Sequence, residues 1–349
     1  MKNKIQIIVS ISLLLAVTLA CGGTAAPTPA QDPNNAINTA VAGTQQASAL
    51  AQATVNANVL TAMPATPTPG PTVDYTTMTE EELAALIDQA VAEAVAATEA
   101  TTSSVYSTTS DDSVTTEEVT YVYDYYYYAD YYVEYAEDLM AQYYDLYSDL
   151  AYQSIAEMQA IEAELNQLND TLVSIDSSLQ EISSTLEQGL ELAQSTIDQL
   201  EGAAQQAQTK AQAVKDQAQD MLQVVKADQQ GRVNEVSNLQ PTNIPADQLA
   251  TLQSAFDFLD AAKLAMGDNK LSHDELMNLA QLGKNAQAGF QKFGGAGGLS
   301  LPGGRTLDTT QLSGNFSEIT AQFARGEMPQ ARQGLGNFEQ SLGKRPGRP

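Results

Sequence analysis

The sequence predicts an all-α protein: a long coiled coil or extended helical hairpin, with a small C-terminal helical domain and a largely disordered N-terminal tether. Three observations lead there. From Met158 to Val225 an apolar residue recurs every third or fourth position, the stripe a helix needs to bury one narrow face against another helix. From Thr72 to Gln240 there is no proline, and an interior proline costs a helix about 3 kcal/mol. The chain has no Trp and seven Phe, too few large side chains for several thick cores.

Charge is segregated along the chain. Between Ile5 and Thr209 there is no Lys or Arg, against 29 Asp and Glu, so the net charge of −27 is carried by the first 209 residues. Such a surface repels nucleic-acid phosphates and anionic headgroups, and nucleic acid is not an expected partner. A solvated, self-repelling stalk is the simplest reading of the charge.

Residues 1–20 have the layout of a secretory signal: Lys2 and Lys4, an apolar run from Ile5 to Leu19, then small residues. The run is too short to remain as a comfortable membrane span. Directly after it stands Cys21, the single cysteine, which has no partner for an intrachain disulfide. In Thr18-Leu19-Ala20-Cys21, the Ala–Cys pair resembles the lipobox of bacterial lipoproteins, whereas Thr18 and Leu19 depart from its usual order. The resemblance covers the first two dozen residues. It implies cleavage before Cys21, acylation there by palmitate-type chains, and a place on the extracytoplasmic face of a membrane. Two or three acyl chains meet the requirement for a stable anchor.

Residues 21–76 read as a Pro/Thr/Ala-rich linker whose Met63–Pro71 stretch is stiff and extended. A short amphipathic helix is expected over 77–100. Thr79 caps it with Glu82 reaching back, and Leu83, Leu86, Ile87, Ala90, Val91 and Ala94 share one face. Residues 101–120, rich in Ser and Thr and acidic, are read as a linker. Over 121–157, which holds most of the Tyr, alternating Val119, Tyr121 and Tyr123 suggest a short strand or extended entry up to Tyr128. Helix is expected beyond it from Tyr128, Tyr132, Tyr135, Leu139, Tyr143, Leu146 and Leu150. Tyr packing along a helix seam is favoured there over an aromatic surface for a polymer or protein partner.

The coiled coil is expected over 158–230. Met158, Leu165, Leu172, Leu179 and Leu186 fall seven apart, and Ile161, Leu168, Ile175 and Ile182 fill the alternate seam. Near Gly189 the phase slips by four residues, a stutter in a continuous coil, and the seam turns Ala-rich beyond it. A continuous rod would reach roughly 100 Å; the alternative is a bundle whose helices break near Gly189 and Gly202 and fold back. In the rod, the 158–225 seam calls for self-association or a helical partner.

Pro241 and Pro245 end this region, and a helical hairpin is expected over 241–293. Its connection resembles the end of an EF-hand calcium loop, which would give Asp268, Ser272 and Glu275 as metal ligands. Leu264 and Met266 occupy ligand positions they cannot fill. The simpler account has Gly267 ending one helix and Ser272 with Glu275 capping the next. Residues 294–349 read as a Gly-rich linker and short helices. The single histidine, His273, the absence of zinc spacing, and the lack of a phosphate loop or nucleophile elbow argue against an enzyme and point to no cofactor beyond calcium. The function expected is that of a membrane-anchored structural or scaffold stalk, with an extracytoplasmic binding module as the alternative.

Overall fold

The computed structural model describes residues 74–110, 113–294, 298–300, 306–343 and 345. The signal segment, Cys21 and the Pro-rich stretch lie outside the described residues. The described elements are almost wholly helical, as the sequence predicts.

A 3₁₀ turn at Tyr75–Thr77 leads into α1, Glu80–Thr109. The Thr79–Glu82 capping box forms: the Glu82 amide donates to Thr79 Oγ1 at 3.1 Å and the Thr79 amide to Glu82 Oε2 at 2.8 Å. The helix does not stop near residue 100. Its buried face turns from Leu and Ile to Thr98, Thr101 and Thr102, whose hydroxyls donate to carbonyls four residues back. Back-bonding of this kind lets Thr enter a helix interior with its hydroxyl satisfied. The expected linker over 101–120 is therefore corrected: helix runs to Thr109 and resumes at Thr116.

Helix α2, Thr116–Tyr147, starts on a second capping box, Thr115 with Glu118, and includes every tyrosine from Tyr121 to Tyr147. The strand suggested for Tyr121–Tyr128 is absent. β-propensity reports how well a side chain packs on a half-buried surface, and here Val119, Val122, Tyr126, Ala129, Val133, Ala136 and Met140 make a buried helical face that decides the conformation.

Helix α3, Tyr152–Glu187, and helix α4, Gln194–Ala218, carry the apolar seam. Between them the chain reverses. Gly189 adopts φ +66°, its amide donates to the Leu186 carbonyl at 2.9 Å, and the Leu190 amide donates to the Thr185 carbonyl at 3.1 Å. These two bonds with a left-handed glycine are a Schellman stop. The phase slip read as a stutter is thus a helix terminus, and Leu190 is 58% exposed. No continuous rod exists across 158–225. Gln217 donates to Glu157 at 3.0 Å and Lys210 to Gln167, so α4 runs antiparallel along α3.

Helix α1 packs on α2 and α4, α2 packs on α3, and α3 packs on α4. The four form a closed bundle with the seam at its centre: Met158, Ile161, Leu165, Leu168, Leu172, Ile175, Leu179 and Ile182 are inaccessible to solvent. Each such side chain contributes roughly 1.5–3 kcal/mol. The seam finds its partners inside the chain. Helix α5, Met221–Asn238, continues after a break at Gln219–Asp220 and packs on α1 and α3.

Helices α6, Gln248–Ala265, and α7, His273–Phe293, pack together, and α7 also packs on α8, Thr309–Ala324. Two short antiparallel strands, β1 (Leu299–Ser300) and β2 (Thr306–Leu307), precede α8; the sequence reading anticipated no strand there. Helix α9, Met328–Leu342, closes this part. Phe258, Phe290, Phe316 and Phe338 meet at its centre, with ring centroids 4.8 to 5.9 Å apart, so the few Phe residues are spent on one compact core.

Candidate functional site

The most concentrated chemistry lies where the long bundle meets the C-terminal helices. Glu80 opens α1 and is fully buried, and Arg232 of α5 is 4% exposed. The Arg232 guanidinium pairs with Glu80 Oε2. Tyr143 of α2 donates to Glu80 Oε1 at 2.7 Å, and Gln229 of α5 donates to Oε2 at 3.4 Å. Arg232 Nε donates to the Ala324 carbonyl at 2.7 Å, and Gln229 to the Arg325 carbonyl at 3.0 Å. The Glu80 amide donates to the Gly326 carbonyl at 3.1 Å, and Tyr147 donates to the same oxygen at 3.3 Å. Asp228 completes the cluster, 3.4 Å from Arg232 Nη1 and accepting from Ser154 Oγ at 3.0 Å.

Gly326 makes the close approach feasible. Its φ is +68°, and a Cβ there would fall 2.6 Å from Glu80 atoms, so only glycine fits. Burial pushes the Glu80 carboxyl above its ordinary range, and the Arg232 charge opposes that shift. Burial and the neighbouring Glu80 charge also raise the Tyr143 hydroxyl. With protein donors already on both Glu80 oxygens, this cluster serves as a joint: it ties the first turn of α1 to α2, α5 and the α8–α9 turn.

The sequence reading missed this joint, although a signal was present. The seam spacing continues past Val225 through Gln229, Arg232 and Val236, which places polar side chains at buried positions. Such residues are rarely buried unless paired.

Of the residues singled out from sequence, Cys21 lies outside the described residues. Asp268, Ser272 and Glu275 sit in the α6–α7 connection. Ser272 and Glu275 are brought together as a capping box: the Glu275 amide donates to Ser272 Oγ at 3.2 Å, and Glu275 Oε2 accepts from the Ser272 amide at 3.0 Å. Asp268 Oδ1 accepts from the Lys270 amide at 3.1 Å, and Asn269 takes the left-handed turn position with φ +64°. Leu264, at the first position of the EF-hand reading, is 82% exposed. Among the described residues no group of three or more His, Cys, Asp or Glu is placed to hold a metal. These side chains turn the chain and start a helix. His273 follows at the head of α7, where its amide donates to the Asp149 carbonyl at 2.8 Å and its ring meets Tyr152 edge-on at 6.2 Å.

The tyrosines divide between two roles. Tyr125, Tyr126, Tyr143 and Tyr147 are buried, while Tyr127 is 62% exposed. Tyr123 stacks with Tyr127, and Tyr131 with Tyr135, at centroid distances of 6.0 and 6.1 Å. Among the described residues, no helix is long and apolar enough to cross a membrane. Comparison with family models, with curated proteins and with solved structures found no match to this chain.

Proposed function

We propose that this protein is an exported lipoprotein that acts as a scaffold on the extracytoplasmic face of a membrane. Acyl chains on Cys21 hold it there, the Pro-rich Met63–Pro71 stretch spaces it from the surface, and the helical bundle is the body so presented. The observation that carries the reading is the position of the Glu80 joint. The first helix after the tether begins at Glu80, and that residue is bonded at once to α2, α5 and the α8–α9 turn. A pull on the tether would therefore be shared across several helices instead of peeling α1 from its end, as a mechanical support requires.

A second reading, binding of a polymer or protein partner through the tyrosine face, draws on the stacked Tyr123–Tyr127 and Tyr131–Tyr135 pairs on α2. Rows of stacked rings offer rigid amphipathic contact area.

Metabolic labelling with tritiated palmitate, followed by membrane fractionation, tests the anchored reading. The wild-type chain should carry label and sediment with membranes, while Cys21→Ser should lose both. An unlabelled wild-type chain, or a Cys21→Ser chain that keeps its label, would overturn it.

A further inference from the structure

A cleft of about 570 Å³ opens between α1 and α4, within the size range of small-molecule sites. Its origin lies in the sequence. Helix α4 presents small residues to α1 and ends at Ala218, and the chain turns through Gln219–Asp220 before α5 begins. From this stretch the cleft is lined by Gln212, Lys215, Asp216, Ala218 and Gln219. Val91 and Val95 of α1 form a buried apolar floor with Ala218.

The rim is acidic. Asp88 and Glu99 come from α1 and Asp216 from α4, with Lys215 as the one basic group. Lys215 already faces Glu99, its Nζ 3.7 Å from Oε1, and Asp216 accepts from Gln212 at 2.5 Å. Asp88 has no such partner among the described residues. It is half-buried, and burial holds its carboxyl above the usual range.

We propose that this cleft binds a small organic cation, an amine carried on an apolar body, with the ammonium on Asp88 and the body over Val91 and Val95. An anion would meet three carboxylates against one lysine that is already engaged. A neutral apolar molecule would cover Asp88 without giving it a partner, at a desolvation cost. An amine satisfies both the floor and the rim, through a charge-assisted hydrogen bond at one end and apolar burial at the other.

The test is a fluorescence titration of the full chain with dansylcadaverine, a primary amine on an aromatic body, beside its N-acetylated, uncharged analogue. Saturable binding of one amine per chain is expected, weakened at least about tenfold by acetylation and by Asp88→Asn. Ala92 lines the cleft but is exposed, so Ala92→Arg should block the cleft and abolish binding while leaving the melting temperature unchanged. Equal binding of the amine and its acetylated form would overturn the proposal. So would wild-type affinity in both variants, or no saturable binding up to about 1 mM.

Discussion

Arg232 and Glu80, 152 positions apart, form an ion pair with side chains 4% and 0% exposed. A buried pair of this kind adds little net stability over an apolar pair of similar shape, but removing one partner strands the other charge, at about 3–5 kcal/mol. Arg232→Met is therefore expected to lower unfolding free energy by that amount in urea titration. Glu80→Leu combined with Arg232→Met should recover much of the loss. A single variant as stable as the wild type would show that the pair is not buried in solution.

The pH dependence follows from three carboxyls outside the Glu80–Arg232 pair whose folded values are raised. Burial acts first in each case and is unopposed at Asp88. It is reinforced by Glu134 and Asp176 at Asp130, and by Glu162, Glu134 and Asp138 at Glu137. A raised folded value means that the native state holds more protons than the unfolded chain. The stability from these groups is fully present below their unfolded values, near 3.8 for Asp and 4.5 for Glu, and is lost as pH rises through the folded ones. Calorimetry at constant ionic strength should therefore give a melting temperature that rises as pH is lowered from 7 towards about 5. A fall over that interval would contradict the burial assigned to these side chains.

Gly189 and Gly202 separate two roles that the sequence left mixed. A Cβ at either would meet no atom within 4 Å, but only Gly189 has positive φ. Gly189→Ala should cost about 1 kcal/mol through backbone strain. Gly202→Ala, inside α4, should stabilise by about 0.5–1 kcal/mol. Urea midpoints of the two variants should move in opposite directions.

The α6–α7 connection makes a further pair of expectations. Ser272→Ala should destabilise by about 1 kcal/mol, the usual worth of an N-cap. Calcium at millimolar concentration should leave the melting temperature of the wild type unchanged, because Glu275 is bonded to the cap. A rise in melting temperature with calcium would revive the metal reading.

Much of this architecture was legible in the sequence because its signals are local. The seven-residue spacing from Met158 to Ile182 identified the face that would be buried, and Thr79 with Glu82 and Ser272 with Glu275 marked helix starts. Spacing says which face is covered but not what covers it, so a continuous rod and a folded bundle shared one pattern. The decision rested on the Schellman bonds at Gly189 and on two helices, α1 and α2, that were read as shorter or partly extended. Helix continued to Thr109 because the hydroxyls of Thr98, Thr101, Thr102 and Thr109 found carbonyls four residues back and Thr102 also reaches the Ala204 carbonyl of α4, a tertiary effect. The Glu80 joint was hidden for the same reason: its partners lie 63, 149 and 152 positions away.

The reversal of the seam is tested most directly by a distance between spin labels on Gln167 and Lys210, introduced as cysteines in a Cys21→Ser background and diluted with unlabelled chain. With Lys210 donating to Gln167, the labels should lie within about 20–25 Å of each other, the reach of packed neighbouring helices and two linkers. A separation near 65 Å, set by 43 residues at about 1.5 Å each, would mean a continuous rod and would contradict the bundle.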